Sequence, residues 1–140
     1  EDGTITYRPS FTFMGFRYAK IVSFPGEPSL DNFTANAIHT NMERTGFLET
    51  SDQDLNQLAH NILWGLKSNF VDVPTDCPQR DERLGWTGDA QVFSWTAAFN
   101  RNTALFYTKW MRDVAAESSL EKGVPHVVPD ILGQYSACME

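Results

Sequence analysis

Asp72, Asp76, Arg80, Asp81, Glu82, Arg83 and Asp89 crowd into one short stretch of the chain, with Trp86 among them. Carboxylates and guanidinium groups hydrogen-bond hydroxyls, an indole face packs against the apolar face of a pyranose, and a carboxylic acid can protonate a leaving oxygen. Those residue types together suit a sugar. The plainer alternative is a salt-bridge knot that only pins the segment in place.

The segment cannot be a regular element. Pro74 and Pro78 each remove a backbone donor and push the preceding residue out of the α region, while Gly85 and Gly88 loosen the far end. Helical patterns flank it on both sides, so it reads as a long connection between two helices. Connections longer than about 12–15 residues inside a compact domain are uncommon and are usually functional or disordered. Two prolines, a Trp and little Ser or Lys argue for order.

Periodicity supplies the flanking elements. Leu55, Leu58, Ala59, Ile62, Leu63, Leu66 and Phe70 trace one helix face, and Ser51-Asp52-Gln53-Asp54 fits a capping box at its start. Gly65 within this helix costs roughly 1 kcal/mol relative to Ala and is expected where another element packs closely. His60 lies beside the stripe and reads as an interface residue rather than a catalyst. Beyond the loop, a second helix begins at Thr87 or Gly88. It is apolar nearly all round through Ala90, Val92, Phe93, Trp95, Thr96, Ala97 and Phe99, the pattern of a helix buried on several sides. Asp89, in its first turn, suits the positive end of the helix dipole. Asn100-Arg101-Asn102 makes a turn, and Thr103 caps a third helix with the stripe Phe106, Tyr107, Trp110, Met111 and Val114. Lys122-Gly123, with Pro125 beyond, ends it. Val124 to Asp130 reads as extended.

Upstream of Ser51 the character is β. Tyr7 to Phe24 is rich in Tyr, Phe, Thr, Ile and Val, Pro25-Gly26-Glu27-Pro28 punctuates it as a turn, and Ala37 to Thr40 reads as a further short strand. Asn32-Phe33-Thr34 is a glycosylation sequon, a triplet common by chance.

Composition excludes several classes. The 140 residues carry 11 basic and 18 acidic side chains, a net charge of −7, so a nucleic-acid partner is not expected and no basic stripe exists. No run of about 18 apolar residues is present, so no membrane span is expected. Glu1-Asp2-Gly3 reads as a cut inside a longer protein rather than a leader. Cys77 and Cys138 make no disulfide framework. No His/Asn pattern accompanies Cys77, which reads as a small buried residue.

The run Pro74-Thr75-Asp76-Cys77-Pro78-Gln79-Arg80-Asp81-Glu82-Arg83-Leu84-Gly85-Trp86-Thr87-Gly88-Asp89-Ala90 closely resembles the signature of the bacterial α-L-rhamnosidases. The resemblance implies an inverting glycoside hydrolase with an (α/α)6 barrel. Phe11-Thr-Phe-Met-Gly-Phe-Arg-Tyr18 resembles, more loosely, the last part of the β-sandwich that precedes that barrel, and Val124 to Asp130 resembles the family's next active-site loop. The implied fold class is an α+β piece. Residues 1–49 would hold the last β-sandwich strands and a linker, and residues 50–140 would open the catalytic barrel with about three of its helices. So few helices with this much aromatic surface leave apolar faces bare, and the remainder of the barrel, or self-association, is expected to cover them.

In the family's motif the glutamate directly after Arg-Asp is the general acid, here Glu82. The family's sugar contacts fall on Asp76, Arg80, Asp81, Trp86 and Asp89. The chemistry fits: Asp76, Asp81 and Asp89 would accept from hydroxyls, Arg80 would donate, and Trp86 would stack on the ring. Glu82 must hold a proton near neutral pH. Desolvation against Trp86 and the carboxylates of Asp81 and Asp89 favour that state, whereas Arg80 and Arg83 oppose it. Inversion also needs a base about 6.5–9.5 Å across the sugar. In the family that glutamate comes from a later loop, and Glu117, Glu121 and Glu140 stand in no comparable motif, so the chain alone is expected to be inactive. The resemblance implies a rhamnose-containing glycoside as substrate, with no cofactor and no metal. Rhamnose is a 6-deoxy sugar, so its pocket must also offer an apolar patch for the methyl group, which the residues alone do not locate.

Three other readings compete. An (α/α)6 glycosidase could act on another sugar. A carbohydrate-binding protein could keep the sugar contacts without catalysis, although the acid is present in Glu82. A Ca²⁺ site could use Asp76, Asp81, Glu82 and Asp89, but Arg80 and Arg83 interleave with those oxygens and the spacing matches no regular calcium loop.

Overall fold

The computed structural model describes residue 3 and residues 5–133. Glu1, Asp2, Cys138 and Glu140, which entered the reading above, lie outside the described residues. Three helices carry the fold: α1 (Gln53–Asn69), α2 (Thr87–Asn100) and α3 (Ala104–Glu117). Between α1 and α2 lies a two-residue antiparallel pair, β1 (Phe70–Val71) and β2 (Val73–Pro74), followed by the signature loop.

The start of α1 differs from expectation by one residue. Asp52, not Ser51, is the cap, and its carboxylate accepts the orphan N–H groups of Asp54 at 2.9 Å and Leu55 at 3.3 Å. The preceding turn is closed by Asn56, whose amide bonds both the N–H and the carbonyl of Thr50. Gly65 has no close neighbour, contrary to the packing role expected of it: a β-carbon there would meet nothing within 4 Å. His60 lies on the exposed side of α1, 6.3 Å from the ring of Trp64.

α1 ends where Phe70 turns inward. This ring stacks on Phe106 of α3 at 4.6 Å and meets Phe93 and Tyr107 edge-on at 6.0 and 5.9 Å. With Met42, Leu66 and Ala97 it forms one buried cluster, while Ala90, Trp110, Val114 and Val128 form a second, and Tyr107 packs against both. Asp72 makes the turn between β1 and β2 at φ +69, a region Asp tolerates better than most residues. Lys109 of α3 reaches it at 3.1 Å.

α2 begins at Thr87 as expected, but only part of its surface is covered. Ala90 and Ala97 are buried, whereas Val92 and Trp95 are 83% and 86% exposed. α3 stops at Glu117, short of Lys122, because Ser119 and Gly123 bond each other's backbone in a separate turn with Gly123 at φ +79. Thr103 occupies the capping position of α3 without a side-chain capping bond; Asn102 Oδ1 accepts from Ala104 N–H at 3.4 Å instead.

The expected β-sandwich strands over Tyr7 to Phe24 and Ala37 to Thr40 are not formed. Among the described residues before α1, the regular structure is a single 3-10 turn, Leu30–Asn32, in which Asn32 Oδ1 of the sequon accepts the Ser29 N–H. Tyr7, Phe11, Phe16 and Tyr18 lie open to solvent. The physical reason is that β propensity measures fit to a pleated, half-buried surface, and no neighbouring strand offers one here. The segment touches the rest of the fold at a few points: Gly15 N–H to the Pro78 carbonyl in the signature loop, Thr40 N–H to the Phe70 carbonyl in β1, and residues 42–46 against the α2–α3 junction. At that junction Gly46 is required, since a side chain would overlap the Phe99 carbonyl. No helix among the described residues is long and apolar enough to cross a membrane.

Candidate active site

Both ends of the signature loop are tied to the helices by backbone bonds. At its start, Thr75 donates N–H and hydroxyl to the Asn69 carbonyl, extending the end of α1. Asp76 N–H donates to the Leu84 carbonyl at 3.2 Å, and the Asp76 carboxylate accepts the Leu84 N–H at 3.3 Å, which closes the loop into a ring. At its end, Val128 N–H donates to the Gly85 carbonyl, and Thr87 donates N–H to the His126 carbonyl and its hydroxyl to that of Pro125. The extended stretch 125–128 is thus a strap across the start of α2. Trp110 of α3 holds the strap from below, donating its indole N–H to the Val128 carbonyl at 3.3 Å. Gly85 must be glycine, because a β-carbon would collide with that same carbonyl.

The tip between these anchors is held by charge. Arg80 Nε donates to Glu82 Oε2 at 2.5 Å, and Arg80 Nη2 lies 3.6 Å from Asp76 Oδ2. That pairing, first through the Glu82 hydrogen bond, holds the Arg80 guanidinium above its ordinary value. The Asp76 side chain is only 8% exposed, that of Glu82 is 54% exposed, and Asp81 projects fully into solvent 3.9 Å from Arg83. Cys77 is buried as expected, and burial followed by the adjacent Asp76 carboxylate pushes its thiol up. Ligand atoms of Asp76, Cys77 and Glu82 lie within 4.8 Å of one another. Asp81 and Asp89, members of the calcium set considered from sequence, are not in that group. Arg80 already supplies the positive charge between Asp76 and Glu82.

Asp76 and Asp89 open onto one cavity of about 530 Å³, between the C-terminal half of α1 and the first turns of α2. Arg80, Asp81, Glu82 and Trp86 do not line it. The six residues singled out from sequence therefore divide: two carboxylates face the cavity, Arg80 joins one of them to Glu82, Asp81 points away, and Trp86 sits half-buried under the strap. The Trp86 indole N–H is buried without a hydrogen-bond partner among the described residues. Sequence reasoning missed the cavity's apolar side. Ile62 and Phe93 read there as ordinary core positions, and nothing in a helical stripe distinguishes a residue facing a void from one facing a neighbour.

The comparisons with known proteins bear on this arrangement. The sequence model of the bacterial α-L-rhamnosidase 6 hairpin glycosidase domain matches residues 43–140. The chain belongs to that family. An α-L-rhamnosidase of Formosa agariphila is 46% identical over 134 residues, 94% of this chain and 14% of that protein. An α-L-rhamnosidase of Streptomyces avermitilis is 46% identical over 130 residues, 93% of this chain and 13% of that protein. Among solved structures, the α-L-rhamnosidase of Dictyoglumus thermophilum superimposes with a TM-score of 0.77 at 38% identity, over 80% of this chain and 13% of that one. The Streptomyces avermitilis α-L-rhamnosidase in complex with L-rhamnose gives a TM-score of 0.73 at 44% identity, over 77% of this chain and 10% of that one. The chain therefore spans about one-seventh of the curated rhamnosidases it matches. The three helices match part of a rhamnosidase six-hairpin domain, and the match begins at Glu43, within the segment that docks on the α2–α3 junction.

Proposed function

We propose that this chain is part of an inverting α-L-rhamnosidase, in which it supplies the general acid and one side of the sugar pocket. The observation that carries the proposal is the signature loop itself: Glu82 sits at a solvent-accessible tip, joined through Arg80 to Asp76, and Asp76 shares a cavity with Asp89. Glu82 would protonate the departing glycosidic oxygen. Asp76, Asp81 and Asp89 would accept hydrogen bonds from sugar hydroxyls, Arg80 would donate, and Trp86 would stack on the ring. A water on the opposite face would be activated by a carboxylate about 6.5–9.5 Å from Glu82, as inversion requires. No glutamate of this chain stands in a matching motif, so the chain by itself is expected to be inactive, and the base would come from elsewhere in the domain.

The same reading assigns residues 1–49 to the end of a β-domain and residues 50–140 to the start of the (α/α)6 barrel. The exposed faces of Val92, Trp95 and Phe99 would pack on further helices of that barrel, or on a second copy when those are missing. The substrate would be a terminal α-L-rhamnoside. The test is hydrolysis of p-nitrophenyl α-L-rhamnoside by the full-length protein carrying this sequence, with the anomer of the first-formed sugar followed by NMR. β-L-rhamnose as first product supports the proposal. α-L-rhamnose contradicts inversion, and rhamnose binding without turnover replaces the enzyme by a carbohydrate-binding protein.

A further inference from the structure

We infer that Arg80 works as a proton switch for Glu82: it holds Glu82 as a carboxylate in the empty site, and its transfer to the bound sugar lets Glu82 take up a proton from solvent. The inference rests on the rhamnosidase reading and adds to it the event that readies the acid. A general acid must be protonated before it donates. In the substrate-free structure, however, Arg80 Nε donates to Glu82 Oε2 at 2.5 Å, a bond that favours the ionised carboxylate. One cation there serves two carboxylates, because Arg80 Nη2 also lies 3.6 Å from Asp76 Oδ2. The other groups that face Glu82 are the Asp76 carboxylate and the Cys77 thiol, whose oxygen and sulfur lie within 4.8 Å of its own oxygen. The neighbouring Asp81 and Arg83 pair with each other.

The two ends of this bridge differ. Asp76 is nearly buried, its Oδ1 accepts the Leu84 N–H, and it lines the cavity. Glu82 and Arg80 are more than half exposed and do not line it. Arg80 therefore reaches a sugar in the cavity by pivoting on Asp76, and the contact it gives up is the one to Glu82. A guanidinium carries five N–H donors, so it can stay on Asp76 and serve a sugar hydroxyl at once. Glu82 is then left beside the Asp76 carboxylate without its counter-charge, while the sugar displaces water. Both changes favour the protonated form. The proton comes from solvent and is the one later passed to the departing glycosidic oxygen.

The experiment follows the full-length protein on an alkyl α-L-rhamnoside across pH. The substrate carries no titrating group, so the alkaline limb of kcat/KM reports the free enzyme and that of kcat the enzyme–substrate complex. The switch places the limb of kcat about one pH unit or more above that of kcat/KM. Between the two limbs, binding takes up a proton. L-rhamnose titrated calorimetrically in two buffers of different ionisation heat should show uptake approaching one proton per site, with Kd weakening about tenfold per pH unit. Arg80→Gln should lower kcat/KM, since Arg80 also contacts the sugar, but its two limbs should draw together. Proton uptake should be lost in Arg80→Gln and in Glu82→Gln alike. Coincident limbs in the wild type, or rhamnose binding without proton uptake, overturn the inference, while rhamnoside cleavage with Glu82 as its acid still stands. Limbs that stay apart in Arg80→Gln overturn it too, because the charge that moves then lies elsewhere. A wild type that neither cleaves nor binds rhamnosides removes the rhamnosidase reading and this inference with it.

Discussion

The ends of the signature loop and its tip are built in different ways. At the ends, Thr75, Asp76, Leu84, Gly85 and Thr87 are held by backbone hydrogen bonds to α1, to each other and to the strap 125–128, over a core that includes Trp110 and Val128. At the tip, Arg80, Asp81, Glu82 and Arg83 hold one another through exposed ion pairs, which water and salt screen. The difference separates two tasks. Rigid ends fix where the cavity-facing Asp76 and Asp89 sit, while a weakly tied tip leaves the proposed acid free to exchange Arg80 for a substrate oxygen. Catalytic hydrogen bonds often tighten only when the substrate is present.

Variants at the two regions should therefore fail in opposite ways. The largest effect is expected at the tip: Glu82→Gln should lower kcat/KM on alkyl rhamnosides, whose leaving oxygen needs a proton, with little change in melting temperature, since its side chain is half exposed. Gly85→Ala should do the reverse. Its β-carbon forces the Val128 carbonyl away, an overpacking that costs about 1–3 kcal/mol, read as a lower melting temperature of the full-length protein. If Gly85→Ala melts like the wild type, the ends are not the rigid part. Asp52→Ala removes the cap of α1 far from the cavity and should cost about 1 kcal/mol with rhamnoside kinetics unchanged.

The smallest effect is expected in the aromatic cluster. The Tyr107 hydroxyl is buried without a partner among the described residues, and burial pushes its ionisation up to about 12. The unfolded value is about 10. A group raised on folding contributes stability that is fully present below pH 10 and is lost as pH rises through 12. Tyr107→Phe should therefore be near neutral at pH 7 and should flatten the fall in melting temperature between pH 10 and 12. An unaltered alkaline profile would place the titrating group elsewhere.

Helix periodicity and the signature were legible in the sequence because both depend on local spacing. The stripes through Leu66 and Trp110, the start of α2 at Thr87 and the burial of Cys77 needed no knowledge of distant contacts. What was misjudged depends on neighbours. Tyr7 to Phe24 has the composition of strands but makes no ladder, because a strand is completed by the strand beside it. Val92 and Trp95 have the pattern of buried residues but lie bare. The cap moved from Ser51 to Asp52 because the carboxylate of Asp52 reaches two orphan N–H groups, a choice decided by geometry rather than residue type. The sequence of the strap reads as extended and resembles an active-site loop, yet its bonds to Gly85 and Thr87 join positions about 40 residues apart, which spacing cannot reveal.

The most direct test of the central claim uses leaving groups of different basicity on the full-length protein. A general acid matters when the departing oxygen is strongly basic and hardly at all when it leaves as a stabilised phenolate. With Glu82 as the acid, Glu82→Gln should lose about 10²–10⁴ in kcat/KM on an alkyl α-L-rhamnoside and remain close to the wild type on the 2,4-dinitrophenyl substrate. An equal loss on both substrates would contradict the assignment and make Glu82 a residue that shapes the site rather than the one that donates the proton.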